Sequence, residues 1–253
     1  MSKSDTDTTF KPVEKKSLAD AVFEQLKGEI VSGRMEPGDA LPAERGLSEM
    51  LGVNRGAVRE ALKRLEQARL ITIQQGGVTR VRDYLQVAGT DLLSSLLIDA
   101  DGEVDTRVAR SVMEMRSALA GDIARLAARR ADDALLADVA RIVDEMEEQK
   151  SDIVALQELS IAFWRKLVEG ADNVAYQLSL NSLEESYSKF KHLLTHTLAE
   201  EFGDLEGYRA VLASMREGDE QEASHEARQI TELGEAKIKA ILNMMDAKNA
   251  AKG

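Results

Sequence analysis

Residues 41–81 read LPAERGLSEMLGVNRGAVREALKRLEQARLITIQQGGVTRV. Leu47 and Leu51 fall on one face of a short helix that Gly52 stops. Asn54 is placed to cap a second helix, whose inward stripe is Val58, Ala61, Leu62 and Leu65. Two β-rich runs around Gly76-Gly77 then predict a short hairpin. Upstream, Leu18, Val22, Leu26 and Ile30 share a helical face, with Ser17 as N-cap and Gly33 as stop. Helix, turn, helix, helix and hairpin is the order of a winged helix, its helix-turn-helix meeting at Gly52-Val53-Asn54.

The inward stripe of the second helix leaves Arg55, Gly56, Arg59 and Lys63 outward. Arg55 and Arg59, four apart, project from one face near the helix start, where a recognition helix meets base edges. Such outward cations are often only a solvated face; here they fall on the elements a winged helix uses to touch DNA. Arg45, one helix earlier, reaches towards phosphate or the groove edge, and Gln75, Gly76 and Thr79 sit on the wing, with Arg80 and Arg82 flanking it. Gly56 either lets the backbone approach DNA closely or is a tolerated small residue.

Three regions are expected: a disordered start (1–15), a winged helix-turn-helix (16–84) and an all-helical remainder (85–253). No proline follows Pro42, and long segments of 3.6-residue period predict helices near 87–98, 104–130, 133–149, 152–169, 173–199, 204–217 and 219–246. The fold class is mainly α, with a bundle of about seven helices large enough to enclose a ligand. Residues 1–84 carry 14 Lys/Arg against 13 Asp/Glu, whereas the rest carries 19 against 32. A small DNA-binding head on an acidic body has this asymmetry, although two domains of different composition would show it too.

The chain has no cysteine, which excludes disulfides, thiolate metal sites and cysteine nucleophiles. The polar start lacks the apolar core of a signal peptide, and no stretch approaches a membrane span, so a cytoplasmic protein off the membrane is expected. No Ser-His-Asp arrangement, phosphate-binding glycine loop or paired Glu-x-x-His motif is present. Neighbouring carboxylates such as Glu147-Glu148 belong to a wet face. The reading is therefore of a regulator and not of an enzyme, with no cofactor.

The Leu-Pro-x-Glu-Arg, Leu-Gly-Val-x-Arg and Val-Arg-Glu-Ala-Leu elements of residues 41–81 resemble the head of the GntR family. That resemblance implies DNA contacts from Arg45, Arg55, Arg59 and the wing tip at Gln75-Gly76, and a double-stranded operator as partner. Asn54 stands where serine or threonine is common, and Gly56 where a polar residue is common; these departures leave the operator sequence open but not the DNA binding.

The helical half resembles the FadR branch of that family, most of whose members hold a metal through an Asp and a His four apart and two later histidines. Aligned on that pattern, Ser160, Trp164, Tyr208 and Ile230 occupy the four positions, which cannot form a His-rich centre. His192, His196 and His225 are a poor substitute, so no metal is expected. Loss of the metal points to the acyl-CoA-sensing members, and the runs at 70–93 and 173–187 agree. The resemblance implies a fatty acyl-CoA effector in fatty-acid metabolism. The alternative is a small-organic-acid sensor whose metal site has degenerated. Gly234 matches only loosely a ligand-facing cluster of the last helix.

Among residues inside the bundle, Arg116 needs either an anionic ligand or a structural carboxylate, Glu114 or one across the bundle. Ser160, Asn181 and Tyr187 offer hydrogen bonds to a ligand or are satisfied core groups. Trp164, the one tryptophan, is a core residue or a ligand wall. A homodimer is expected to set two heads on a near-palindrome, with the helix at 87–98 joining head to sensor.

Overall fold

The computed structural model describes residues 17–74, 77–98 and 102–251; the stretch read as disordered, 1–15, lies outside them. The chain divides into two compact units, Met1–Ala88 and Gly89–Gly253.

In the first unit, α1 (Leu18–Val31) starts at a reciprocal cap. Ser17 Oγ accepts from the Asp20 amide over 3.1 Å, and Asp20 accepts the Ser17 amide over 2.9 Å. Helix α2 (Glu44–Leu51) ends at Gly52, whose φ of +64° a side chain would strain. Asn54 then caps α3 (Arg55–Gln67), accepting from the Ala57 amide over 2.9 Å. Val58, Ala61, Leu62 and Leu65 bury against Val22, Phe23, Leu26 and Ile30 of α1. Leu51 is only half-buried.

The wing pairs β1 (Ile71–Thr72) antiparallel with β2 (Arg80–Val81), Ile71 opposite Val81. On its other side β2 is bonded by residues 38–41: Gly38 and Leu41 donate to the carbonyls of Val81 and Thr79. That third edge stiffens a two-residue ladder otherwise too short to hold.

Arg64 of α3 ties back to Asp20 and lies 4.6 Å over the Phe23 ring. The Arg64 hydrogen bond, helped by Ser17, holds the Asp20 carboxyl at about 2. A depressed carboxyl adds stability that is complete above its unfolded value and is lost as pH falls towards the folded one. Asp20→Asn is therefore expected to lower the head's melting temperature at pH 7, with the deficit shrinking between pH 4 and pH 2. A deficit that is constant over that range in thermal melts would rule the ion pair out as its cause.

The second unit is all helical: a 3₁₀ turn (Thr90–Leu92), α5 (Leu93–Leu96), α6 (Thr106–Arg130), α7 (Asp133–Glu148), α8 (Ile153–Ala171), α9 (Val174–Ser188), α10 (Lys191–Thr197), α11 (Ala199–Phe202), α12 (Leu205–Glu217) and α13 (Glu220–Ala250), following α4 (Tyr84–Val87) of the first unit. Asp side chains cap α6, α7, α8, α12 and α13. Helix α6 packs along α13 and α8, and α12 closes against α7 and α13. Ala124, Ala127, Val139, Met146, Phe163, Leu167 and Tyr208 lie at the dry centre. The protein is thus mainly α, a winged helix-turn-helix followed by a helical bundle.

Two predicted helices are broken. The helix expected over 87–98 is α4, an extended step at Ala88 and Gly89, then the 3₁₀ turn and α5. Gly89 costs about 1 kcal/mol relative to alanine inside a helix, and the joint is not one continuous rod. The helix expected over 173–199 ends at Ser188 and restarts as α10. Ser179, Ser182, Ser186 and Ser188 each bond back to a backbone carbonyl of α9, which weakens and bends a helix.

Candidate DNA-binding face and effector cavity

The cap at Asn54 and the buried stripe together fix which face of α3 is wet: Arg55, Gly56, Arg59 and Lys63 are all exposed. Arg59 is held in place. Its Nε and Nη2 donate to the two oxygens of Glu44 over 3.2 and 2.9 Å, from one helix to the next. This hydrogen-bonded pair lowers the Glu44 carboxyl and raises the Arg59 guanidinium; Arg55 adds to the pull on Glu44. Arg55 makes no hydrogen bond among the described residues, so its donors are available. Arg45 stands on α2 with its side chain 75% exposed, loosely paired with Glu49 over 2.9 Å.

Gly56 has a local explanation that neither sequence reading contained. A methyl group there would lie 3.1 Å from Asn54 Oδ1, the oxygen that caps the helix. Thr79 is half-buried, its carbonyl taken by the Leu41 amide. Arg80 Nη1 donates to the Gly38 carbonyl over 2.8 Å. Gln75 and Gly76 lie outside the described residues.

The bundle holds a partly open cavity of about 250 Å³ between α6, α8, α9, α10 and α13. Its walls are overwhelmingly apolar, among them Val112, Leu119, Ile161, Leu180, Phe190 and Leu242. Arg116, Ser160, Trp164 and Tyr187 all line it. Asn181 does not: it is exposed on α9 and accepts from Gln177 over 3.1 Å. Gly234 does not line it either. It stands on α13 behind the Glu201 carboxylate, where a methyl group would run into Glu201 Oε2 and lie 2.8 Å from Leu198.

Arg116 meets Glu201 of α11, not the exposed Glu114. Nη1 donates over 3.1 Å and Nη2 makes a second bond to a carboxylate that is fully buried. Burial pushes the Glu201 carboxyl above the usual carboxylate range, more than Arg116 pulls it down. Burial works against the Arg116 charge, but Glu201 outweighs it and raises the guanidinium.

Ser160 Oγ and Tyr208 OH are hydrogen-bonded at 2.8 Å, and Phe163 stacks edge-on against Tyr208 at 4.8 Å. Burial pushes the Tyr208 phenol far up and the Tyr187 phenol to about 12, so both remain neutral donors and acceptors. Gln157 donates to Tyr187 OH and to the Lys191 carbonyl, and accepts from Thr195 over 2.9 Å. The Trp164 indole N–H is buried without a hydrogen-bond partner among the described residues.

Ser160, Trp164, Tyr208 and Ile230 offer a hydroxyl, an indole, a phenol and an alkyl group, so the residues present do not fit a divalent metal. The two hydroxyls satisfy each other, and Ile230 is fully buried. His192, His196 and His225 are exposed. Among the described residues, no group of three or more His, Cys, Asp or Glu side chains is placed to hold a metal. Nor is any helix long and apolar enough to cross a membrane.

Residues 18–81 match the bacterial regulatory proteins of the gntR family, and residues 111–233 match the FCD domain. The HTH-type transcriptional regulator Mce2R of Mycobacterium tuberculosis is 37% identical over 236 residues, covering 92% of this chain and 96% of that protein. A fatty acid metabolism regulator protein of Klebsiella pneumoniae is 30% identical over 177 residues, 70% of this chain and 72% of the relative. Among solved structures, Lar, which controls expression of the Listeria monocytogenes agr system, aligns with a TM-score of 0.53 at 16% identity, covering 90% of this chain and 99% of Lar; it speaks to the fold alone. The chain belongs to the GntR family: it is a transcription regulator, not an enzyme, with a helix-turn-helix head and an FCD effector domain.

Proposed function

We propose that the chain is a cytoplasmic, homodimeric, operator-binding regulator whose DNA affinity is set by a long-chain fatty acyl-CoA, its acyl chain lying in the bundle cavity. The observation that carries the choice of ligand is the state of the cavity's cation. Arg116 is the single cation among the described lining residues, and Glu201 already holds it. A small carboxylate settling against these apolar walls would lose its water without gaining a free opposite charge, which is unfavourable. A polymethylene chain asks only for apolar walls. Ten buried methylenes contribute about 8 kcal/mol before the costs of association. The relatives named as fatty acid metabolism regulators support the same reading.

In this reading Arg45, Arg55, Arg59 and Lys63 form the operator contacts, with Gly56 admitting the backbone and Gln75, Gly76 and Thr79 the wing. Ligand and operator are then linked reciprocally: a ligand that weakens operator binding is itself bound more weakly by the DNA complex. Native mass spectrometry of the purified protein with palmitoyl-CoA tests the proposal directly. One acyl-CoA per subunit of a dimer, together with a change in operator affinity at fixed salt, is the expected result. Binding of a small organic acid in its place, or equal operator affinity with and without acyl-CoA, would overturn it.

A further inference from the structure

One cation lines the apolar cavity, and its partner is a carboxylate that sequence reasoning did not single out. The other charged lining residue, Glu184, accepts from Arg165 over 2.6 and 2.7 Å. Arg116 lines the cavity with 22% of its side chain accessible, while Glu201 is fully buried. A guanidinium carries five N–H donors. The pair uses two, and Arg116 makes no other hydrogen bond among the described residues. Behind the carboxylate, Gly234 leaves a seat that any side chain would fill. The carboxylate is thus held between backbone on one side and Arg116 on the other. What the cavity meets at Arg116 is a donor-rich pair with no net charge.

We propose that the Arg116–Glu201 pair makes the cavity select a neutral acyl carbonyl, as in a thioester or ester, over a free fatty-acid carboxylate. The inference rests on the acyl reading above and specifies which form of the acyl group is accepted. Arg116 donates its free N–H groups to the carbonyl oxygen, a charge-assisted bond that replaces one to water. An entering carboxylate meets the same donors, but Glu201 stands just behind them. Against apolar walls two carboxylates around one guanidinium repel, which favours one of them taking up a proton or leaving. The stability of the bundle does not account for such a pair, because well-packed apolar side chains often serve equally well in place of a buried ion pair.

The test compares S-decanoyl-N-acetylcysteamine, a neutral thioester without a nucleotide, with decanoate by isothermal titration calorimetry. Wild-type protein is expected to prefer the thioester by roughly tenfold or more. Glu201→Gln leaves Arg116 uncompensated, and should shift the ratio towards decanoate by at least the same factor. An Arg116→Gln/Glu201→Gln double variant should remove that shift. Equal wild-type affinity for the two ligands overturns the inference with no variant needed. An unchanged ratio in a folded Glu201→Gln protein overturns it as well, and both results leave the acyl reading standing. Wild-type protein that binds neither the thioester nor palmitoyl-CoA overturns both.

Discussion

Arg55→Ala is expected to cost about 1–3 kcal/mol of operator discrimination per head, the range for a bidentate arginine–guanine contact. With two heads on one operator the loss doubles, to a factor of about 30 or more in affinity. Arg55 is exposed at the start of α3, makes no hydrogen bond among the described residues, and projects from the same face as Arg59. Its removal leaves the buried stripe of Val58, Ala61, Leu62 and Leu65 untouched, so the melting temperature should not move. Fluorescence anisotropy on operator and scrambled duplexes, each at several salt concentrations, separates the roles. A base-reading arginine loses affinity for the operator alone. Lys63→Ala should weaken both duplexes alike and lower the salt slope by about one per head. If Arg55→Ala weakens both duplexes equally, Arg55 touches phosphate and the base-reading assignment fails.

The same experiment examines Glu44. As the partner that orients Arg59 through two hydrogen bonds, it fixes one guanidinium edge and leaves the other for DNA. Glu44→Ala should lower the ratio of specific to non-specific binding, since it frees Arg59 to wander and also removes a negative charge from the DNA-facing side. A purely structural Glu44 would shift the melting temperature and leave that ratio alone.

Local signals were legible in the sequence because they act over one helical turn. Ser17 and Asn54 cap where a capping oxygen followed by apolar periodicity said they should, and the stripe of α3 is buried as its spacing requires. Pairings between distant residues were not legible. Glu44 and Arg59 lie 15 residues apart on different helices, and Arg116 and Glu201 lie 85 apart. The carboxylate nearest Arg116 in sequence, Glu114, points to solvent, as residues two apart on a helix must diverge. The edge that residues 38–41 add to β2 was likewise hidden, since Gly38 and Leu41 find their partners 43 and 38 residues further along, at Val81 and Thr79. Asn181 misled for a related reason: apolar groups at 178, 180 and 183 blur the inward face of α9, and Asn181 falls on the outside. Gly234 was noticed for its position but explained only by a partner 33 residues away.

Ala120→Phe is expected to leave a regulator that binds its operator and no longer responds to acyl-CoA. Ala120 is 4% exposed at the middle of α6 and lines the cavity. Its neighbour Gly121 faces α13, where a methyl group would run into Arg228 and lie 2.9 Å from Ser224; the two adjacent positions thus serve opposite purposes, close packing and open space. A ring at 120 enters space that is already empty, so the cost should fall at or below the usual 1–3 kcal/mol of overpacking. For wild-type protein, ligand at 100 times its dissociation constant adds about 2.7 kcal/mol, a rise of about 5–10 °C in the bundle's melting temperature. Ala120→Phe should reduce that rise to about 1 °C or less while operator affinity without ligand stays at the wild-type value. Ala109→Phe, at another point of the same wall, provides an independent block should the first variant fold poorly. A full ligand-induced rise in either folded variant would place the acyl chain elsewhere. A lost rise with an intact operator response would mean that binding in the cavity does not govern the head. Only loss of both together, with DNA affinity preserved, ties the empty space in the bundle to the control of transcription.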